Sequence, residues 1–250
     1  MSDAMTDDGF EAVRVINPGG TSPYVLTCDH ASNFMPRRFG SLGLDESELS
    51  RHIAWDPGAA DVARLMATAL DACLVESRVS RLVIDCNRPL DAPDLVPALS
   101  ETTIIPGNQS IPAEERDLRV ERVWRPFHEA IDEQVRDRIG KGRETRLVSV
   151  HSYTPVYKGV PRPWHVGILH DDDTRLSSPL LEALRAVDGL VVGDNQPYSP
   201  ADRVYFTLER HARSRGLPCA MIEIRNDVIE DHERWSSLLA SLLARIRVAG

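Results

Sequence analysis

Short apolar runs rich in β-branched residues alternate along this chain with longer stretches whose apolar positions recur every three or four residues. The runs at 24–28, 81–86, 146–151, 163–169, 189–193 and 218–224 predict buried strands, with a further return to strand near Leu74. A short helix is expected over 47–52. Asp56-Pro57 has the form of an N-cap followed by proline at the first helical position, and the helix it opens carries Val62, Ala63, Met66 and Leu70 on one face. Ser110, Pro112 and Glu114-Glu115 start another helix, which Phe127, Ile131 and Val135 continue to Gly140 with a kink at Pro126. Helices follow over 179–187, from Thr207 to Arg215 ahead of Gly216, and along the stripe Trp235, Leu239, Leu242 and Ile246.

Strands alternating with helices of this length predict a three-layer α/β/α sandwich around a mostly parallel, mixed central sheet. Antiparallel pairing is expected among the strands near 146, 163 and 189. One domain over 16–250 follows a disordered tail over 1–15. The loop 89–109, about twenty residues and dense in Pro, Asp and Thr, is long for a compact domain and reads as a lid or binding loop.

Four apolar runs end in polar clusters: Asp29-His30-Ala31-Ser32-Asn33, Asp85-Cys86-Asn87-Arg88-Pro89, His151-Ser152 and Glu223-Ile224-Arg225-Asn226-Asp227. Ligands in open α/β sheets bind beyond the carboxyl ends of the strands, so four distant stretches would deliver these groups to one edge. The net charge of -9 excludes nucleic acid and anionic membrane as partners, because both need a basic face. No apolar stretch reaches the roughly 20 residues of a membrane span, and the polar start has no signal-peptide core. The four cysteines show no zinc-knuckle or CxxC spacing, which fits reduced thiols and a cytoplasmic location.

Histidines at two strand ends, His30 and His151, form the start of a metal site, since catalytic zinc takes about three protein ligands and leaves one position open. Glu223, a charge inside an apolar strand, is the natural base for an attacking water unless an arginine such as Arg225 neutralises it. Arg88 can grip a carboxylate with two parallel hydrogen bonds, and Asn87 adds an amide donor. Arg162 and Arg203 are further cationic anchors. His170-Asp171-Asp172-Asp173 reads as a solvated turn, 193–198 as a turn or substrate loop, and His211 as a surface or packing residue. Neither Ser152 nor Cys28 has an activating partner on its own face.

The four polar clusters, in this order and across about residues 20–240, resemble the N-formylglutamate amidohydrolase family, similar in fold to zinc-dependent carboxypeptidases and aspartoacylases. The resemblance implies one zinc or other divalent ion per chain, held by His30 and His151, with Glu223 as the catalytic base. Asn87 and Arg88 match its substrate clamp, and Asn33 and Arg225 join them as substrate-binding candidates. Asn33 stands where the wider pattern has a liganding Glu. The third metal ligand is therefore open between Asp56, Asp29 and Asn33, with Asp56 placed first and an N-cap role as its alternative.

The function expected is metal-dependent hydrolysis of a small anionic N-acyl amino acid, N-formyl-L-glutamate first. One alternative is a metal-free module that binds an acidic metabolite, motivated by Asn33. Another is a zinc hydrolase of other N-acyl amino acids or short peptides.

Overall fold

The central strands are buried along nearly their whole length because helices cover both faces of the sheet. The computed structural model describes residues 9–248. Strands β1 (Val13–Ile16), β2 (Tyr24–Cys28), β3 (Cys73–Ser77), β4 (Arg146–Tyr153), β5 (Val166–Leu169), β6 (Val192–Asp194) and β7 (Cys219–Arg225) form one sheet in the order β1-β3-β2-β4-β7-β5-β6. β3, β2, β4 and β7 run parallel; β1 pairs antiparallel with β3. At the other edge β5 is antiparallel to β7 and parallel to β6. The antiparallel pairing expected among the strands near 146, 163 and 189 is not found there: β5 pairs parallel with β6 and antiparallel with β7, and β4 is parallel to both its neighbours.

Helices α1 (Glu46–Ser50), α2 (Ala59–Leu70), α3 (Ala113–Arg119), α4 (Arg125–Gly140), α5 (Ser177–Arg185), α6 (Phe206–His211) and α7 (His232–Arg245) surround the sheet. Strand alternation sends Leu26, Val148 and Ile222 to one face, where they meet Val62 and Met66 of α2 and Leu239 of α7. Val25, Leu147 and Met221 point to the other face and meet Phe127, Ile131 and Val135 of α4. Among the described residues no helix is long and apolar enough to cross a membrane.

Two further expectations are corrected. The run 81–86 is buried but forms turns, not a strand. Its carbonyls are taken by side chains: Asn108 Nδ2 donates to Leu82 O at 2.8 Å and Arg119 Nη1 to Val83 O at 3.0 Å. The helix expected through Pro126 does run in helical backbone from Ala113 to Gly140, and its irregularity is a π-turn over Val120–Trp124 just ahead of a proline that lacks an N–H and crowds the preceding turn. The disordered tail expected over 1–15 does not include its last residues, because Val13–Ile16 adds to the sheet edge as β1; residues 1–8 lie outside the described residues.

β2 leads through α2 to β3 on one side, and β3 leads through α3 and α4 back across to β4 on the other. The strand order therefore reverses between β2 and β4. Crevices at such switch points, beyond the carboxyl ends of the strands, are the usual ligand sites.

Candidate active site

A cavity of about 440 Å³ opens at that point, lined among others by His30, Asp56, Arg81, His151 and Glu223. His30 follows the end of β2. His151 and Glu223 are direct neighbours in the register of β4 and β7, so both side chains leave the sheet on the same face. Asp56 enters from the turn before α2, whose backbone is tied to the histidine by Asp56 N donating to His30 O at 2.9 Å.

Asp56 does not cap α2. The cap position is Gly58, and the Asp56 carboxylate turns inward between the histidines. Its Oδ2 lies 3.3 Å from His30 Nδ1 and 2.8 Å from His151 Nδ1. Its Oδ1 receives a hydrogen bond from Arg81 and lies 3.1 Å from His52 Nε2. One donor atom from each of His30, Asp56 and His151 falls within 4.8 Å of the others.

The outer ring nitrogens are held as well. His30 Nε2 meets Asp85 Oδ1 at 2.7 Å, and His151 Nε2 meets Asp29 Oδ2 at 3.1 Å. Asp29 also accepts from Ser149 Oγ at 2.8 Å and from the hydroxyl of Thr207 on α6. A carboxylate behind each imidazole fixes its tautomer and aims the inner nitrogen into the site, the arrangement usual behind metal-bound histidines. Against the burial that opposes it, the bonds from His151 and Thr207 hold the Asp29 carboxyl down to about 2. Burial alone would lower both imidazoles, yet the surrounding carboxylates hold His30 above the ordinary histidine range and His151 well above it. Two imidazoles in so acidic a setting, with nitrogens converging on a carboxylate oxygen, fit a divalent cation by charge and by donor type.

Glu223 stands beside this cluster and is 4% exposed. Its Oε2 is buried without a hydrogen-bond partner, and burial pushes its carboxyl up to about 7. The alternative role for Glu223, neutralisation by Arg225, is not realised, since Arg225 bonds Asp227 Oδ1 at 2.7 Å and the carbonyls of Arg162 and Pro163 at 3.1 Å. A buried carboxyl with a free oxygen and a raised pKa is equipped to take and return a proton.

The two clamp candidates line the cavity. Asn87 also braces the chain around α6, donating to Val204 O and accepting from Thr207 N at 3.0 Å. Arg88 bonds Asp94 Oδ2 at 2.8 Å and the Asn87 carbonyl at 3.0 Å. Asn33 and Arg225 are not brought to the cavity. The Asn33 amide donates to Leu49 O at 3.0 Å and ties the loop after β2 to α1. Arg162 lines the cavity and Arg203 does not. His211, expected at a surface or in packing, is buried and stacks on His128 at 2.8 Å between ring nitrogens.

Arg81, His52 and Asp85 are site residues that sequence reasoning missed. Asp85 sits two residues before Asn87, in a motif already singled out, and a strand-end histidine needing a carboxylate behind it was the available signal. Arg81 and His52 had no signal of their own.

The family model for N-formylglutamate amidohydrolase matches residues 22–230. A gene product of Agrobacterium tumefaciens, known by crystal structure, is 41% identical over 96% of this chain and 95% of its own, with a TM-score of 0.91. N-formylglutamate amidohydrolase from Ralstonia eutropha JMP134 shares the fold at a TM-score of 0.71, with 20% identity over 94% of this chain and 96% of its own. No curated protein matches the chain. A family match that begins just before β2, ends just after β7 and takes in every strand end of the cavity makes this chain an amidohydrolase of the N-formylglutamate amidohydrolase family.

Proposed function

We propose that the enzyme is a metal-dependent hydrolase of small N-acylated amino acids, and that N-formyl-L-glutamate is its substrate, cleaved to formate and L-glutamate. The observation that carries this reading is the convergence of His30, Asp56 and His151 beside a buried Glu223 oxygen with no partner. His30, Asp56 and His151 would hold one divalent ion, zinc by donor type, which when bound polarises a carbonyl and makes water more acidic. Asp85 and Asp29 keep the ring protons on the outer nitrogens, leaving the inner ones free as donors.

Glu223 accepts the proton of the attacking water as its oxygen bonds to the formyl carbon. The same carboxyl then delivers that proton to the leaving nitrogen as the C–N bond breaks, so it ends as it began. Arg81, bonded to Asp56 and lining the cavity, supplies fixed positive charge where the carbonyl oxygen gains negative charge. Arg88 and Asn87 orient the amino-acid portion. The metal-free binding reading, which rested on Asn33, loses its motive with an acidic side chain standing between the two histidines. The four cysteines are buried and unpaired, which suits a cytoplasmic setting.

The test compares hydrolysis of the N-formyl, N-acetyl and N-succinyl derivatives of L-glutamate by the wild type and Glu223→Gln. The formyl compound is expected to be cleaved best, and the variant to retain its metal while losing turnover by about 10²- to 10⁴-fold. A variant of near wild-type rate would remove the base from the scheme, and preference for another acyl group would replace the substrate.

A further inference from the structure

The arginines of the cavity are not equivalent. Arg81 pairs with Asp56, and Arg88 pairs with Asp94 and lies 3.8 Å from Asp85. Arg162 has no ion-pair partner among the described residues, although it is only 8% exposed. Its guanidinium is surrounded by tyrosine rings instead, 4.5 Å from the centroid of Tyr157, 4.6 Å from Tyr198 and 5.7 Å from Tyr153. The bonds it makes are with Nη1 alone, to the Tyr198 hydroxyl at 3.0 Å and Thr154 O at 3.5 Å. Nε and Nη2 are left without a partner among the described residues. Ring faces relieve part of the cost of burying a cation, but an unpaired buried charge in a cavity is stable chiefly when an anion completes it.

The surrounding fold holds this group in place. Arg162 follows the hairpin Val156–Tyr157/Val160–Pro161, and its backbone N–H donates to Pro155 O at 2.8 Å. Arg225 grips the carbonyls of residues 162 and 163 from below. Tyr198 comes from a loop that lies directly on the bare backbone of β5: a Cβ at Gly167 would stand 1.8 Å from Gln196 O. Three separate segments thus fix one cation and its cage.

We infer that Arg162 is the residue that reads the side-chain carboxylate of the substrate. The inference rests on the hydrolase reading of the same cavity and names the residue that sets its specificity. The α-carboxylate lies one carbon from the reacting nitrogen. It belongs near Asn87 and Arg88, whose neighbour Asp85 supports His30. Arg162 lines the same cavity from a different segment, among Tyr157 and Tyr198, and suits the carboxylate at the far end of the molecule. A planar guanidinium with free donors takes a carboxylate through two hydrogen bonds, which a neutral amide of the same size cannot match in charge.

N-formyl-L-glutamate and N-formyl-L-glutamine, nearly equal in shape, separate the possibilities. The wild type should prefer the acid by about 100-fold or more in kcat/KM. Arg162→Gln should cut the rate on formylglutamate by about 100-fold and change that on formylglutamine less than about threefold, with Arg162→Lys between them. If Arg162→Gln does not fold, Tyr198→Phe, which removes the hydroxyl bonded to Arg162, should still narrow the preference by about tenfold. Parallel loss on both substrates, or no preference in the wild type, would overturn the assignment. Calorimetric titration with L-glutamate and L-glutamine needs no turnover. If the wild type hydrolyses neither formyl compound, the proposed reaction fails, and Arg162 is judged on binding alone. Tighter binding of glutamate that disappears in Arg162→Gln supports it; equal binding or none contradicts it.

Discussion

At the scale of single residues, burial sets the protonation of Glu223. Its carboxyl is pushed from the ordinary 4.5 up to about 7 by burial. In the metal-free protein the folded state therefore keeps a proton that the unfolded chain loses between these values, and stability falls as pH rises through that window. Glu223→Gln removes the penalty. Metal-free Glu223→Gln should be more stable than the metal-free wild type at pH 8, by about 2 kcal/mol in urea unfolding, and the difference should shrink as pH falls towards 5. Equal unfolding curves at pH 8 would mean that the carboxyl is better solvated than its burial indicates. Glu223 was legible in the sequence because a charge inside Met221-Ile222-Glu223-Ile224 conflicts with a buried strand. Asp56 was harder to read. Asp before Pro signals an N-cap just as well, and only the fold shows the carboxylate turned inward between His30 and His151. Asn33 and Arg225 carry the same kind of signal as Asn87 and Arg88, yet their side chains bond Leu49 and Asp227 away from the cavity. Residue type and position do not determine which of several local partners a polar side chain takes.

At the scale of elements, strands covered on both faces declare themselves, as β2, β4 and β7 do through short, mostly apolar runs. The run 82–84 carries the same signal and is no strand, because Asn108 and Arg119, more than twenty residues away, take the carbonyls that a ladder would have used. Burial is what the pattern encodes; the backbone partner is decided elsewhere in the chain. The short edge strand β1 was hidden for the opposite reason, as its partly exposed residues lack a full apolar run. The loop 195–198 depends on β5 in a way that one substitution tests. Gly167→Ala would drive a methyl group into Gln196 O, at 1.8 Å before relaxation. It should cost about 3 kcal/mol in stability and raise KM through displacement of Tyr198. A variant with wild-type stability and KM would show that the loop is free to yield.

At the scale of the whole molecule, the reversal of strand order between β2 and β4 gathers His30, Asp56, His151 and Glu223 into one cavity from a span of nearly two hundred residues. The overall charge of -9 gives no hint of the anion site proposed here, because the local cations Arg81, Arg88 and Arg162 act at short range. The central claim is that catalysis depends on one divalent ion held by His30, Asp56 and His151. The most direct measurement strips the purified protein with a chelator, returns zinc in steps, and follows bound metal and N-formyl-L-glutamate hydrolysis in the same samples. The account predicts no turnover in the stripped protein, activity that rises in proportion to bound zinc up to one ion per chain, and neither binding nor activity in His151→Ala. Full turnover by the metal-free protein, or stoichiometric zinc that leaves the rate unchanged, would contradict it.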